Sequence, residues 1–121
     1  MGGGKAIARI RHLAIVTSNR ERLVKFYTTA FDMKVVEGAG PAIYLSDGYL
    51  NLAIIQKRPH YKEGLYHLGF EVENIDALRP VFKELGVATE VEKRPQNREA
   101  EYRVHDPDGN PIDLSQHGWP A

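Results

Sequence analysis

The sequence repeats one pattern at a fixed offset, and this repeat constrains the fold more than any other feature. Residues 10–27, IRHLAIVTSNRERLVKFY, align with residues 65–82, LYHLGFEVENIDALRPVF. His12 then falls on His67, an offset of 67 − 12 = 55 that holds throughout the match. The identities are few, but an alternating strand, a polar cap and a helical pattern follow one another in both halves. A match of this kind indicates a duplicated module.

The first half begins with a strand and a capped helix. Residues 8–17 alternate between apolar and polar side chains, which predicts a strand. Ser18 or Asn19 can then cap a helix that runs to about Phe31. The apolar stripe of this helix should face the sheet and consists of Leu23, Phe26, Tyr27 and Phe31.

The second half follows the same plan with one irregularity. Residues 66–72, YHLGFEV, predict a strand, and Asn74 or Asp76 can cap a helix that ends near Leu85. Pro80 lies within the helical pattern, where it removes a backbone donor. The helix therefore either starts late, with Pro80 near its first turn, or is kinked there.

Three further strands are predicted in each half. They are MKVVEG, AIYLSD and YLNLAIIQK in the first half, and VATEVEK, EYRVHD and NPIDLSQH in the second. The Asp47-Gly48 pair and the sequence DPDGN predict tight turns between the last two strands of each half. We therefore predict an α+β fold of two β-α-β-β-β modules, at about residues 8–57 and 66–117.

Composition narrows the class of protein. The 121 residues suit a flexible tail at 1–7 and one domain at 8–121. Sixteen basic and sixteen acidic residues give a formal net charge of zero, which is unlike the basic excess of nucleic-acid-binding proteins. No apolar run approaches the roughly 20 residues of a membrane helix, and the N-terminus lacks the apolar core of a signal peptide. We predict a cytoplasmic protein with neither a nucleic-acid nor a membrane partner.

Strand alternation assigns a polar set to one face of the sheet. In YHLGFEV the alternate apolar residues must face the helices, so His67 and Gly69 point to the opposite face. The same alternation places His12, Asn51 and Asp113 on that face. One carboxylate, two imidazoles and an amide from four strands thus share one side of the sheet.

His12, His67 and Asp113 form a candidate metal site. A single histidine on a strand is more often a hydrogen-bonded structural group, and Asp113 alone could support a turn. The two histidines, however, occupy equivalent repeat positions. Two histidines and one carboxylate suit Fe(II) and also hold Mn, Ni, Co or Zn. Because the chain has no cysteine, any metal must have nitrogen or oxygen ligands.

These motifs resemble the vicinal oxygen chelate superfamily, which includes glyoxalases, extradiol dioxygenases, fosfomycin-resistance enzymes and bleomycin-resistance proteins. The resemblance covers about residues 8–117 and is carried by RHLAIVTSNRERLVKFY, YHLGFEVENIDAL and, most specifically, HDPDGNPIDLSQ. It implies a cupped, partly closed mixed sheet around a metal, with the helices on the outer face. It also implies that His12, His67 and Asp113 are the metal ligands and that the protein is a homodimer.

Two positions depart from the family pattern. The third ligand is usually Glu, and Asp113 is one methylene shorter. Asn51 falls where glyoxalase-type members place a fourth ligand, often Glu, that can act as a base. An amide cannot act as that base. The pattern therefore favours dioxygenase- or transferase-like chemistry over true glyoxalase chemistry, with Asn51 as a substrate-binding residue.

Arg103 and His105 share one side of the seventh strand and are candidate catalytic residues. By resemblance, Arg103 falls where some members present a substrate-facing tyrosine, and an arginine there would bind an anionic substrate. Alternatively, Arg103 pairs with a surface acid such as Glu101 or Glu99. His105 could carry a proton, or it could be a solvated residue before the turn.

Two functions stay open at this point. The first is a metal-dependent enzyme that acts on a small substrate chelated through adjacent oxygens. The second is a metal-free protein that binds or sequesters a small molecule, as bleomycin-resistance proteins do. The intact set of His12, His67 and Asp113 favours the enzyme, since binding proteins of this kind need not keep it.

Overall fold

The computed structural model describes residues 8–38, 40–87, 92–93 and 100–121. The predicted tail at 1–7 and most of the predicted strand VATEVEK lie outside these ranges. The first module contains β1 (Ala8–Thr17), α1 (Arg20–Phe31), β2 (Lys34–Val36), β3 (Ile43–Ser46) and β4 (Asn51–Gln56). The second contains β5 (Gly64–Val72), α2 (Ile75–Glu84), β6 (Glu92–Lys93), β7 (Tyr102–His105) and β8 (Pro111–Ser115). Neither helix is long and apolar enough to cross a membrane, as far as the described ranges extend.

The strands form one mixed sheet in the order β2-β3-β4-β1-β5-β8-β7-β6. Within each module the first strand pairs in parallel with the last one, β1 with β4 and β5 with β8. The modules meet where β1 and β5 pair antiparallel. The predicted α+β fold is confirmed, and the two modules have the same strand arrangement, as the repeat predicts. The sheet is not closed, because β2 and β6 lie at its two edges.

Asparagine side chains cap both helices. Asn19 accepts a hydrogen bond from the backbone N–H of Arg22 at 3.1 Å, and Asn74 accepts one from Asp76 at 2.9 Å. Each bond satisfies a donor that the first turn of a helix leaves without an intrahelical partner. Pro80 lies inside α2 and not in its first turn. The prediction of a late helix start is therefore wrong.

The helices cover the apolar face of the sheet, as strand alternation predicts. Leu23 and Tyr27 of α1 pack on a buried cluster of Leu45, Leu52 and Ile54. The equivalent cluster of the second module consists of Val72, Ile75, Val104 and Leu114. The prediction that Phe26 and Phe31 face the sheet is wrong. Both are exposed, and their rings contact each other edge to face at 5.7 Å.

One row of cross-strand neighbours carries most of the polar set on the opposite face of the sheet. The backbone register places Asn51 beside His12, and His12 beside Gly69. It then places Gly69 beside Asp113, and Asp113 beside Arg103. The row thus crosses β4, β1, β5, β8 and β7. His67 precedes Gly69 by two residues on β5 and therefore points to the same face.

Gly69 lies at the centre of this row, where a side chain would not fit. A Cβ atom at this position would lie 2.8 Å from the Cβ of His12 and 2.7 Å from the Cη2 of Trp119. Its backbone angles do not require glycine, so the constraint is space rather than conformation. The missing side chain lets His12 and Trp119 pack directly on the strand.

We expect Gly69→Ala to lower the free energy of unfolding by about 1–3 kcal/mol, the usual cost of overpacking a filled site. In a Trp119→Ala background two of the three nearest contacts of the added methyl group are removed, so the same substitution should cost less. Urea denaturation of the four proteins measures this coupling. An equal cost in both backgrounds would show that Trp119 does not restrict this position.

Candidate metal centre

The side chains of His12, His67 and Asp113 converge at the middle of the open sheet face. The Nε2 atoms of the two histidines are 3.0 Å apart, and His67 Nε2 lies 3.2 Å from Asp113 Oδ2. Ligand atoms of all three residues lie within 4.8 Å of one another. The three side chains come from β1, β5 and β8, so the sheet fixes their relative positions. The structure therefore brings together all three predicted metal ligands.

This arrangement fits a divalent ion. Two nitrogen ligands at about 2.1 Å from one ion, and at right angles to each other, lie about 3.0 Å apart. The spacing of the two Nε2 atoms matches that value, and it also allows a hydrogen bond between the two rings. All three side chains are at least nine-tenths buried, so water competes little for the donor atoms. His12, His67 and Asp113 are thus the residues that would hold such an ion.

Asn51 supports His12 from behind. It is fully buried, and its Oδ1 lies 2.7 Å from His12 Nδ1. Its Nδ2 donates to the backbone carbonyl of Pro120 at 2.7 Å, which assigns the oxygen of the amide to the histidine side. His12 Nδ1 therefore carries a proton, and in the neutral ring Nε2 has its lone pair toward the centre.

Arg103 lies on the other side of the centre and contacts both remaining ligands. Its Nε donates to Asp113 Oδ1 at 2.6 Å, and its Nη2 lies 3.4 Å from His67 Nδ1. Its Nη1 donates to the hydroxyl of Tyr66 at 3.3 Å. Burial alone would lower the pKa of Arg103, but its hydrogen bond to Asp113 and the charge of that carboxylate raise the pKa above its usual value. Arg103 is therefore a permanent, largely buried cation.

The described structure gives Arg103 a partner that neither alternative from the sequence named. Arg103 pairs with the predicted metal ligand Asp113 and not with Glu101. The carboxylate of Glu101 instead accepts hydrogen bonds from the hydroxyl of Ser115 and the backbone N–H of Gln116. Glu99 lies outside the described residues.

His105 does not join the centre. It is exposed and lines an apolar groove on the helix side of the sheet, beside Phe82 and Leu114. It is not among the residues that line the cavity at the centre. A catalytic role for His105 stays a prediction without a structural contact to support it.

The C-terminal segment closes one side of the centre. The indole of Trp119 stacks on the ring of His12, with 4.8 Å between centroids and 1° between planes. The backbone contacts of the segment include Gly118 N–H to Ser115 Oγ at 2.9 Å and the Pro120 carbonyl to the Nδ2 of Asn51. Trp119 is largely buried. No periodicity in the sequence indicates this contact, although Trp119 is the only tryptophan and follows β8 by four residues.

A cavity of ≈ 80 Å³ opens beside the centre. A water molecule needs roughly 10–15 Å³ on this measure, so the cavity holds a few waters or a substrate group of similar size. Its aromatic walls include Tyr44, Tyr61 and Tyr66, and Arg58 lies on its lining near Tyr61. The rings of Tyr61 and Tyr66 stack at 5.2 Å. The cavity is thus lined by aromatic rings on one side and by the polar centre on the other.

Several solved structures share the fold. The homoprotocatechuate 2,3-dioxygenase of Brevibacterium fuscum, in complex with 3,4-dihydroxyphenylacetate, matches with a TM-score of 0.70 and 21% identity, over 93% of this chain and 37% of that one. Methylmalonyl-CoA epimerase from Mycobacterium tuberculosis matches with a TM-score of 0.66 and 16% identity, over 87% and 85% of the two chains. A hypothetical protein from Bacillus halodurans matches with a TM-score of 0.67 and 17% identity, over 88% and 92%. At these identities the likeness shows the fold alone, and this chain spans little more than a third of the dioxygenase.

Sequence comparison identifies the family. No match was found among curated proteins. The family model described as the Glyoxalase/Bleomycin resistance protein/Dioxygenase superfamily matches residues 9–114, which include His12, His67, Asp113 and Arg103. The resemblance to vicinal oxygen chelate proteins is therefore confirmed, and the chain belongs to the Glyoxalase/Bleomycin resistance protein/Dioxygenase superfamily.

Proposed function

We propose that this protein is a metal-dependent enzyme that acts on a small substrate chelated through two adjacent oxygens. The observation that carries the proposal is the convergence of His12, His67 and Asp113 on one point beside a cavity. Fe, Mn, Ni, Co and Zn all suit two imidazoles and one carboxylate. A bound ion would supply Lewis acidity toward oxygens that develop negative charge.

The role of Asn51 favours dioxygenase- or transferase-like chemistry over true glyoxalase chemistry. Glyoxalase-type members place an acidic ligand at this position, and Asn51 can neither carry its charge nor accept a proton from a substrate. Both ends of the Asn51 amide contact protein groups, His12 on one side and Pro120 on the other. We therefore assign Asn51 to positioning His12, in place of the substrate contact that the sequence predicted.

The cavity favours a small and partly planar substrate. Its volume of ≈ 80 Å³ suits a single ring or a short acid, or the reacting end of a larger molecule. Tyr61 and Tyr66 offer ring faces for stacking. Arg58 is exposed and lies 5.8 Å from the ring of Tyr61, where it can bind a carboxylate at the mouth of the cavity. An anionic substrate agrees with the ligand in the dioxygenase complex, 3,4-dihydroxyphenylacetate.

A metal-free binding protein is the second candidate, and one observation favours it. Arg103 already balances the charge of Asp113, so the centre is satisfied without an ion. The small cavity argues against this candidate, because a drug-sized ligand usually occupies about 300–1,000 Å³.

A cytoplasmic location stays a prediction from the sequence.

Metal binding is the first test of the proposed function. We expect protein freed of metal to bind one equivalent of Mn(II), Co(II) or Zn(II) and to melt at a higher temperature, since an ion that binds only the folded state stabilises it. Because Trp119 is the only tryptophan and stacks on His12, Co(II) should quench the fluorescence with the same stoichiometry. Titrations that follow melting temperature and fluorescence measure both effects.

His12→Ala and His67→Ala should lose most of this gain, whereas His60→Ala should keep it. His60 is an exposed histidine outside the cavity and serves as the matched control. A melting temperature that no ion changes would contradict the metal-dependent function and leave the binding protein.

Turnover assays distinguish the reaction types. We expect protein loaded with Fe(II) or Mn(II) to leave the adduct of methylglyoxal and glutathione unchanged, because position 51 offers no base. Oxygen uptake with 3,4-dihydroxyphenylacetate would support the dioxygenase reaction, and its absence would argue against a dioxygenase for this substrate. Measurable turnover of the methylglyoxal adduct would contradict the chemistry that we assign to this centre.

Asn51→Ala tests whether this residue positions His12. The substitution leaves His12 Nδ1 and the Pro120 carbonyl without their partner, which should lower the free energy of unfolding by about 1–3 kcal/mol. It should also weaken metal binding about 10- to 100-fold, as loss of a group that orients a ligand does. Urea denaturation and metal titration measure the two effects.

Asn19→Ala is the control for Asn51→Ala, because it removes a helix cap far from the centre and should cost about 1 kcal/mol without a change in metal affinity. If Asn51→Ala keeps its metal affinity but binds substrate more weakly, the positioning role would be contradicted and the substrate contact predicted from the sequence would be supported.

We further propose that the protein is a homodimer. The strands β2 and β6 lie at the two edges of the sheet, and a strand edge favours pairing with another chain. Val35 on β2 and the nearby Phe31 are exposed apolar residues. Light scattering at micromolar concentration should give 2 × 13.6 = 27.2 kDa, and a mass near 13.6 kDa would contradict the dimer.

A further inference from the structure

The contacts of Arg103 determine which ring nitrogen of His67 carries the proton. A guanidinium group only donates hydrogen bonds, so His67 Nδ1, which lies 3.4 Å from Arg103 Nη2, must act as the acceptor. The proton of the neutral ring then sits on Nε2, which lies 3.0 Å from the Nε2 of His12 and 3.2 Å from Asp113 Oδ2, both acceptors. A histidine that binds an ion through Nε2 needs the opposite arrangement, with the proton on Nδ1.

The charge of Arg103 acts in the same direction. Its Nε holds Asp113 Oδ1 at 2.6 Å, and both side chains are largely buried. The guanidinium is thus the counter-ion of this carboxylate. A divalent cation bound to Asp113 would take the same role. A divalent ion on Oδ2 would lie close to a fixed positive charge in a site that water screens weakly.

We propose that Arg103 competes with the metal ion, by holding Asp113 and His67 in an arrangement suited to the metal-free state. The inference rests on the proposed function and deepens it. An ion binds when the guanidinium gives up its contact with His67, and the ring then moves its proton to Nδ1. Arg103 is therefore a positioning residue that sets how tightly the centre holds its ion.

The released end of Arg103 gains a second use. Its Nη1 already contacts the hydroxyl of Tyr66, and both side chains line the cavity. Once Nη2 has left His67, it can donate to an anionic group of a substrate in that cavity. Metal binding would then prepare the anion site, which connects the substrate-binding role predicted for Arg103 with its observed pairing.

Removing the charge of Arg103 tests the competition directly. We expect Arg103→Gln to bind Mn(II) or Co(II) about tenfold more tightly than the unchanged protein, or more, the scale on which groups behind the ligands alter metal affinity. Arg103→Lys keeps the charge, but an ammonium group cannot contact Asp113 and His67 at the same time with separate nitrogens. Its affinity for the ion should therefore lie between those of the unchanged protein and Arg103→Gln. Arg11→Gln is the matched control, because Arg11 pairs with Glu71 outside the cavity. The affinity of this variant for the ion should equal that of the unchanged protein.

The outcomes of this titration separate the inference from the proposed function. Equal or weaker binding by Arg103→Gln would overturn the competition while leaving the metal-dependent function in place. No binding by any of the four proteins would overturn both. Binding by Arg103→Gln alone would support the competition and contradict the metal-dependent function of the unchanged protein.

A measurement on the unchanged protein covers the case in which Arg103→Gln fails to fold. Nitrogen NMR of the labelled imidazole of His67 distinguishes a proton on Nε2 from one on Nδ1. We expect the Nε2 proton without metal and the Nδ1 proton after addition of Zn(II). A proton on Nδ1 in the metal-free protein would overturn the proposal.

Discussion

The centre of this molecule depends on a row of backbone-paired residues with a glycine in its middle. Neighbouring strands lie about 4.8 Å apart, so the residues on either side of Gly69 are too far apart for direct backbone contact and must meet through their side chains. The side chains of His12 and Asp113 each contact His67 Nε2, and the missing side chain at position 69 leaves the space that His12 occupies. The two modules contribute one histidine each from equivalent positions, and the antiparallel pairing of β1 with β5 brings them together.

Within this row, other buried side chains position one carboxylate and two imidazoles through hydrogen bonds. Asn51 directs His12, and Arg103 directs both His67 and Asp113. The two supports act in opposite ways. Asn51 leaves His12 ready to bind an ion, whereas Arg103 satisfies the other two ligands without one. The centre is therefore asymmetric although the modules that build it are repeats, and the asymmetry resides in the residues behind the ligands.

The sequence predicts much of this arrangement, because each step rests on local periodicity. The repeat gave the module order, strand alternation gave the shared face of His12, His67 and Asp113, and asparagines at the predicted positions cap both helices. Other features depend on contacts between distant segments. The partner of Arg103 lies ten residues away on the next strand, and Trp119 reaches His12 from beyond the last strand. Periodicity carries no information about either contact.

The direct test of a metal centre is the anomalous diffraction of crystals grown with Mn(II) or Co(II). The account predicts one peak per chain, about 2.0–2.3 Å from His12 Nε2, His67 Nε2 and an oxygen of Asp113. It also predicts that the Nη2 atom of Arg103 has moved away from His67. No peak at this position, with Arg103 still bound to both Asp113 and His67, would contradict the account.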